Sequence, residues 1–99
     1  MKYDLSKLNK AFDSRIRLGI MSILIVNDYI EFSELKEKLQ LTDGNLASHI
    51  SALEKLKFVE VKKQFLGKKP NTSYKVTTDG KKAFNQHLNA LEEILKLRK

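Results

Sequence analysis

The chemistry open to this chain belongs to lysines, hydroxyls and side-chain amides, because the usual catalytic sets are missing from the sequence. There is no cysteine, which removes thiolate nucleophiles, disulfides and thiolate metal sites and fits a reducing compartment. Asp43 and His49 fall on one helix at a spacing that makes no catalytic pair, and His87 lies far along the chain. No Gly-rich phosphate loop, paired-carboxylate motif or nucleophile–base signature appears. An enzyme is therefore not expected. Two other patterns remain. From Val61 to Lys75 there are five lysines and no acid, and from Thr42 to Lys55 one helix flank carries small hydrogen-bonding groups. The first pattern is either a solvated surface that aids solubility or a patch that neutralises a polyanion. The second permits close approach and hydrogen bonding to a neighbouring surface.

Hydropathy patterning supplies the elements that would position these groups. After a helical turn or two over 4–10, Ser14 is a candidate cap for a helix running from Arg15 to about Asn27. Ile16, Ile20, Ile23 and Leu24 form one stripe on it, and Leu18, Met21 and Ile25 form another. A helix apolar on most sides is a central helix, a subunit interface or both. Residues 30–32 read as a brief strand. Ser33 is then a candidate cap for a helix to Gln40, and Thr42 caps the next helix, to about Lys57. On this last helix Leu46, His49, Ile50, Leu53 and Leu56 cluster on one side at 100° per residue. Gly44, Ala47, Ser48, Ser51 and Lys55 lie opposite, with Asn45 at the edge.

Phe58 to Phe65 alternates as a strand should, Leu66 to Thr72 holds the turn formers Gly67 and Pro70, and Ser73 to Thr77 alternates again. Strand, lysine-rich loop and strand make a hairpin with a basic tip. Thr78 is the expected cap of a final helix to Leu97. Phe84, Leu88, Leu91 and Leu95 form one seam of that helix, and Ala83, His87, Ala90, Ile94 and Leu97 form a second. One seam closes a small core, and the wider face points to a second chain, with a helix sunk deeper into its own domain as the alternative.

Ninety-nine residues make one domain, 1–99, with modest burial and use for a partner subunit. The formal charge of +7 is densest between Phe58 and Lys75, where five lysines meet one acid. The apolar stretch from Ile16 to Val26 is too short and too interrupted to span a bilayer, so no membrane association is expected.

The element order, mainly α with a small β-hairpin, is that of a winged helix-turn-helix: helix-turn-helix 33–57, a wing of two or three strands over 58–77, and a dimerisation helix 78–97. Ala47-Ser48-His49-Ile50, followed by Leu53, Leu56 and Phe58-Val59, resembles the recognition-helix pattern of ArsR-type repressors. Thr72 to Phe84 resembles the passage from wing to last helix in MarR-like regulators. Together with Leu41-Thr42-Asp43-Gly44-Asn45-Leu46, the chain resembles single-domain winged-helix regulators of the MarR/ArsR type over nearly its whole length. Two departures stand out. Lys57 occupies a position where ArsR-type patterns usually carry Gly, which implies either mild strain or a different helix ending. The Cys/His/carboxylate clusters of metal-sensing members are missing, so no metal and no cofactor are expected.

The resemblance implies a cytoplasmic repressor that binds double-stranded DNA as a homodimer. Asn45 and Ser48 would read base edges. Gly44 would let the helix start approach a phosphate. Thr42 would cap, touch a phosphate or do both, and Ser51 and Lys55 would face the backbone. For His49, packing with a hydrogen bond and DNA contact are both open. Lys62, Lys63, Lys68 and Lys69 of the wing would neutralise phosphates, with Asn71 and Thr72 hydrogen-bonding beside them and Pro70 stiffening the tip. About four phosphate contacts per subunit give a log–log salt slope near −7 for a dimer, at roughly 0.9 per phosphate. Phe84, His87, Leu88, Leu91, Ile94 and Leu95 would form the dimer interface, and two half-sites would lie about 34–36 Å apart. A small-molecule effector in the cleft beside the last helix is a further candidate partner. The competing reading is a winged helix used as a protein-interaction module, since fold does not fix function.

Overall fold

The computed structural model describes residues 4–97. A 3-10 turn, Lys10–Phe12, precedes α1 (Arg15–Leu24), β1 (Ile30–Glu31), α2 (Phe32–Leu39), α3 (Asp43–Lys55), β2 (Val59–Leu66), β3 (Lys69–Val76) and α4 (Thr78–Lys96). The strands form one antiparallel sheet in the order β1-β3-β2. The wing sheet is three-stranded because Ile30 and Glu31 pair with Tyr74 and Ser73.

Side-chain caps set several of these boundaries. Ser14 Oγ accepts from Arg17 N–H and Thr42 Oγ1 from Asn45 N–H, both at the expected positions. The last helix is capped one residue earlier than expected, by Thr77, whose Oγ1 accepts from Gly80 N–H at 2.9 Å and donates to Lys57 O at 2.7 Å. Ser33 is not a cap. β1 leads straight into α2 at Phe32, behind Glu31, which makes no side-chain cap bond. α1 stops at Leu24, before the expected Asn27, whose side-chain amide donates back to Ile23 O at 2.7 Å.

Two left-handed residues shape the helix-turn-helix. Gln40 (φ 53°) closes α2, with Gln40 N–H bonded to Glu37 O and Leu41 N–H to Lys36 O. Two residues later Thr42 opens α3, so the turn is tight. Lys57 (φ 65°) closes α3 in the same way: its N–H reaches Glu54 O and the next N–H reaches Leu53 O. This paired pattern is a Schellman motif built on a lysine where glycine is favoured. Of the two outcomes open at Lys57, mild strain is the one realised.

α1 is the central helix. Ile20, Met21 and Leu24 are fully buried, and α1 packs on α2, α3, β3 and the 3-10 turn. Phe12, to which the sequence pattern assigned no role, is a hub of the core. Its ring lies 5.5 Å from Phe58, 5.1 Å from Phe84 and 5.4 Å from His87, centroid to centroid. Three inward or interface assignments need correction here. Leu56, expected inside, is exposed, because it already belongs to the cap that turns the chain toward β2. Phe84, expected at the dimer interface, is 1% exposed and fills its own core, with His87 buried beside it.

The hairpin is longer and its loop shorter than its residue types suggested. β3 begins at Lys69, and only Gly67 and Lys68 form the loop, with Leu66 paired to Lys69. Gly67 has φ +67° and Lys68 does not share it, the pattern of a type II′ turn. Pro70, Asn71 and Thr72 are thus strand residues. Pro70 stands opposite Phe65, one step from the hydrogen-bonded pair that flanks a two-residue loop, so its missing N–H costs the ladder nothing.

Candidate nucleic-acid interface

The outer flank of α3 keeps the character read from the sequence. Thr42, Gly44, Asn45, Ala47, Ser48 and Lys55 are exposed and Ser51 is half-buried, while Leu46, Ile50 and Leu53 anchor the opposite side. A Cβ placed on Gly44 would meet nothing within 4 Å, so no internal packing requires a glycine there. Asp43, the acid nearest this flank, is paired with Lys36 of α2 at 2.9 Å. That pair ties the two helices of the motif together and offsets the one negative charge at the start of α3.

His49 is half-buried, and its Nδ1 accepts from Arg17 Nε at 3.1 Å. Arg17 Nη1 also donates to Ala11 O at 3.4 Å. Arg17, on α1, is a positioning residue that sequence reasoning missed, since a single arginine on an apolar helix carries no signal of its partner. His87 is held similarly from the other end of the molecule: its Nδ1 accepts from Asn9 N–H at 2.9 Å, and Asn9 Oδ1 accepts from Ala11 N–H. Burial lowers the pKa of His87, and the charge of Asp13 partly opposes this.

The lysines of the hairpin do not act as one cluster. Lys62 and Lys63 point to opposite faces of β2, as successive strand residues must. The Lys62 ammonium lies 5.1 Å from the centroid of the Tyr29 ring, and that of Lys75 lies 5.6 Å away on the same ring. Lys75 also pairs with Asp28 at 3.3 Å. Lys68 and Lys69 stand at the tip, with Lys63 exposed between it and the body. Asn71 and Thr72 are half-buried strand residues rather than loop residues. Each strand of eight residues is about 26 Å long, at about 3.3 Å per residue, and so carries the tip well away from the start of the hairpin.

Of the residues assigned to a subunit interface, Leu88 (40%) and Leu95 (57%) are exposed, Leu91 and Ile94 are half-buried, and Phe84 and His87 face inward. Leu5 is exposed nearby in the N-terminal segment. Between that segment, α1 and α4 runs a groove of about 730 Å³ lined by Leu5, Leu8, Phe12, Leu18, His87 and Leu91. Among the described residues no group of three His, Cys, Asp or Glu is placed to hold a metal. No helix among them is long and apolar enough to cross a membrane.

Three helices around a short strand, followed by a basic hairpin and a long closing helix, define a winged helix-turn-helix protein. The profile of winged helix DNA-binding domains matches residues 16–95, and the chain belongs to that family. It is similar to the Methanocaldococcus jannaschii protein MJ0432, 44% identical over 90 residues, covering 91% of this chain and 95% of that one. Among solved structures it is similar to a transcriptional regulator homologue from Pyrococcus horikoshii OT3, at TM-score 0.81 and 31% identity over 87% of this chain and 85% of that one. The fold is shared by a MarR-family chain from Porphyromonas gingivalis W83 (TM-score 0.67, 22% identity, 88% and 80% covered). An ArsR-family regulator, RHA00566, shares it too (TM-score 0.64, 18% identity, 96% and 93% covered). The family and the fold are those of DNA-binding transcriptional regulators.

Proposed function

We propose that the chain is a sequence-specific, double-stranded DNA-binding regulator that acts in the cytoplasm as a homodimer and represses transcription. One observation carries the reading. The exposed flank of α3 is small and polar with its only early acid paired, and three residues later the chain enters a hairpin with five lysines and no acid beyond Glu60. In this reading α3 lies in the major groove, where Asn45 and Ser48 meet base edges and Gly44 lets backbone N–H groups approach a phosphate. Thr42, Ser51 and Lys55 face the backbone, and the hairpin lysines reach phosphates farther along. Lys62 contributes from over Tyr29, with its ammonium still exposed.

The dimer uses the corrected face of α4, with Leu88, Leu91, Ile94 and Leu95 and without Phe84 or His87. Repression is favoured because the described residues offer no evident surface for recruiting polymerase. An effector would occupy the groove beside α4.

The test is selection of bound sequences from a random duplex library, together with a mass measurement in solution. Asn45→Ala should weaken selected sites more than random DNA, whereas Lys68→Ala with Lys69→Ala should weaken both alike. The double lysine variant removes four phosphate contacts per dimer, and the salt slope should flatten by roughly 3 to 4. An unchanged site preference for Asn45→Ala would remove it as a base reader. A second reading, a protein-interaction module, is favoured by one observation: Phe65 and Leu66 are exposed on the wing. Absence of salt-dependent binding to any duplex would select it.

A further inference from the structure

The hairpin displays apolar side chains where its own fold cannot use them. Phe65 is 72% exposed and Leu66 55%, and Pro70 is exposed opposite Phe65 in the register. Among the described residues β1 pairs only with Ser73 and Tyr74, so the outer half of the hairpin has no third strand, and the start of α2, at Phe32 and Ser33, approaches it only from the side of Pro70, Asn71 and Thr72. Phe65 and Pro70 form a pair of the kind without cross-strand hydrogen bonds, in which side chains approach most closely. They therefore make one apolar block beside the turn. Lysines surround it: Lys63 two residues before on the same face, Lys68 in the turn and Lys69 next to Pro70.

We propose that this block is a wedge, entering the minor groove between two base pairs, opening that step and bending the duplex while the lysines hold the flanking phosphates. The proposal rests on the DNA-binding reading and adds to it a mode of contact and a further source of sequence preference. Charge selects the occupant. An acid-free lysine arm is drawn to a polyanion, yet Phe65 gains nothing from phosphate oxygens. The apolar surface that a duplex can offer is the face of a base pair, exposed when a step unstacks. Apolar side chains inserted in this way kink DNA by about 20–90° toward the major groove. Pyrimidine–purine steps open most readily, so the wedge would favour TA or CA steps outside the bases met by α3. A paired, two-residue turn with Gly67 at positive φ holds the block rigid, which lowers the entropy lost on insertion.

The experiment uses the full chain and duplexes labelled at both ends for energy transfer, with wild type, Phe65→Ala and Phe65→Trp. The sequence has no tryptophan, so the introduced indole is a single reporter. Wild type and Phe65→Trp should shorten the end-to-end distance. Phe65→Ala removes two wedges per dimer, each worth about tenfold as one base–aromatic stack, so it should bind roughly a hundredfold more weakly and leave the duplex straight. The indole should be quenched and shielded from acrylamide only when DNA is added. Bending retained by Phe65→Ala, or an indole still open to acrylamide on DNA, overturns the wedge while leaving DNA binding intact. An indole shielded without DNA shows a second copy covering the tip and also overturns it. Failure of the wild type to bind any duplex overturns the underlying reading as well.

Discussion

Arg17 Nε donates to His49 Nδ1 at 3.1 Å, joining the central helix α1 to α3. Arginine only donates, so Nδ1 must be the acceptor and the proton of a neutral ring sits on Nε2. The ring is half-buried, and this arrangement leaves its free N–H available as a donor. Of the two roles open for His49, packing with a hydrogen bond is thus present, and a DNA contact would use Nε2.

Arg17→Met should cost about 1 kcal/mol, the ordinary net worth of a side-chain hydrogen bond, with the longer bond to Ala11 O adding a smaller share. Urea unfolding measures that loss. Site-specific affinity should fall with it, because the imidazole loses its fixed tautomer. Equal unfolding midpoints for the two proteins would show that the pair contributes nothing.

Lys57→Gly should stabilise the protein. The side chain at φ 65° is in left-handed backbone that costs a non-glycine residue about 1 kcal/mol, and the cap bonds are all from backbone. A rise of about 4–8 °C in Tm is expected. No rise would mean that the lysine stem packs well enough to offset the strain.

Gly80→Ala should destabilise strongly. A Cβ there would sit 2.2 Å from the Phe58 carbonyl oxygen and 2.9 Å from Val76 Cγ2, and the first of these is backbone held by Thr77 N–H. Overpacking of this kind costs about 1–3 kcal/mol. Gly19→Ala is the control, because its Cβ would meet chiefly the end of the Leu39 side chain at 2.9 Å. A smaller loss at Gly80 than at Gly19, read from urea midpoints, would contradict the geometry.

Gly44→Ala should separate stability from binding. Open space around the added methyl lets alanine's helix propensity act, a gain of up to about 1 kcal/mol. Duplex affinity should fall nonetheless if backbone at this position approaches a phosphate. Calorimetric melting and a binding titration on the same sample check both halves, and undiminished affinity would free Gly44 of that role.

Stability should depend on pH through His87. The unfolded ring takes up its proton near the ordinary value of 6.5, while the native ring, buried and accepting from Asn9 N–H, does so only at lower pH. The unfolded state then binds more protons, so stability falls as pH drops below about 6.5 and levels off once the native ring is also charged. Asp13 moderates the effect. His87→Gln keeps an acceptor without titrating, and its urea midpoint should change less than wild type between pH 7.5 and 5.5.

Much of this molecule was legible in one dimension. The apolar stripes of α1 and α3, the caps Ser14 and Thr42, and the lysine-rich hairpin each depend on residues a few positions apart, where helix and strand periodicity governs. Lys57 was flagged by the family resemblance, where Gly is usual, with mild strain and a different helix ending both left open; only its φ of 65° decided between them. The wing was harder. Gly67 and Pro70 both read as loop, yet only the first is, because strand pairing tolerates a proline whose N–H would have pointed away from its partner. Phe12 gave no signal because a 3-10 turn of three residues has no period to reveal its buried side.

The sequence by itself determined the element order, the polar flank of α3, and the concentration of positive charge after it. Only the tertiary structure decided which apolar seam was already used: Phe84 and His87 close on Phe12, leaving Leu88 and Leu95 outside. It alone split Lys62 from Lys63, seated Lys62 over Tyr29, and brought Arg17 to His49. The physical reason is one of range. Periodicity states which side chains share a face, but a face acquires its partner from residues distant in the chain, and that choice is made by packing.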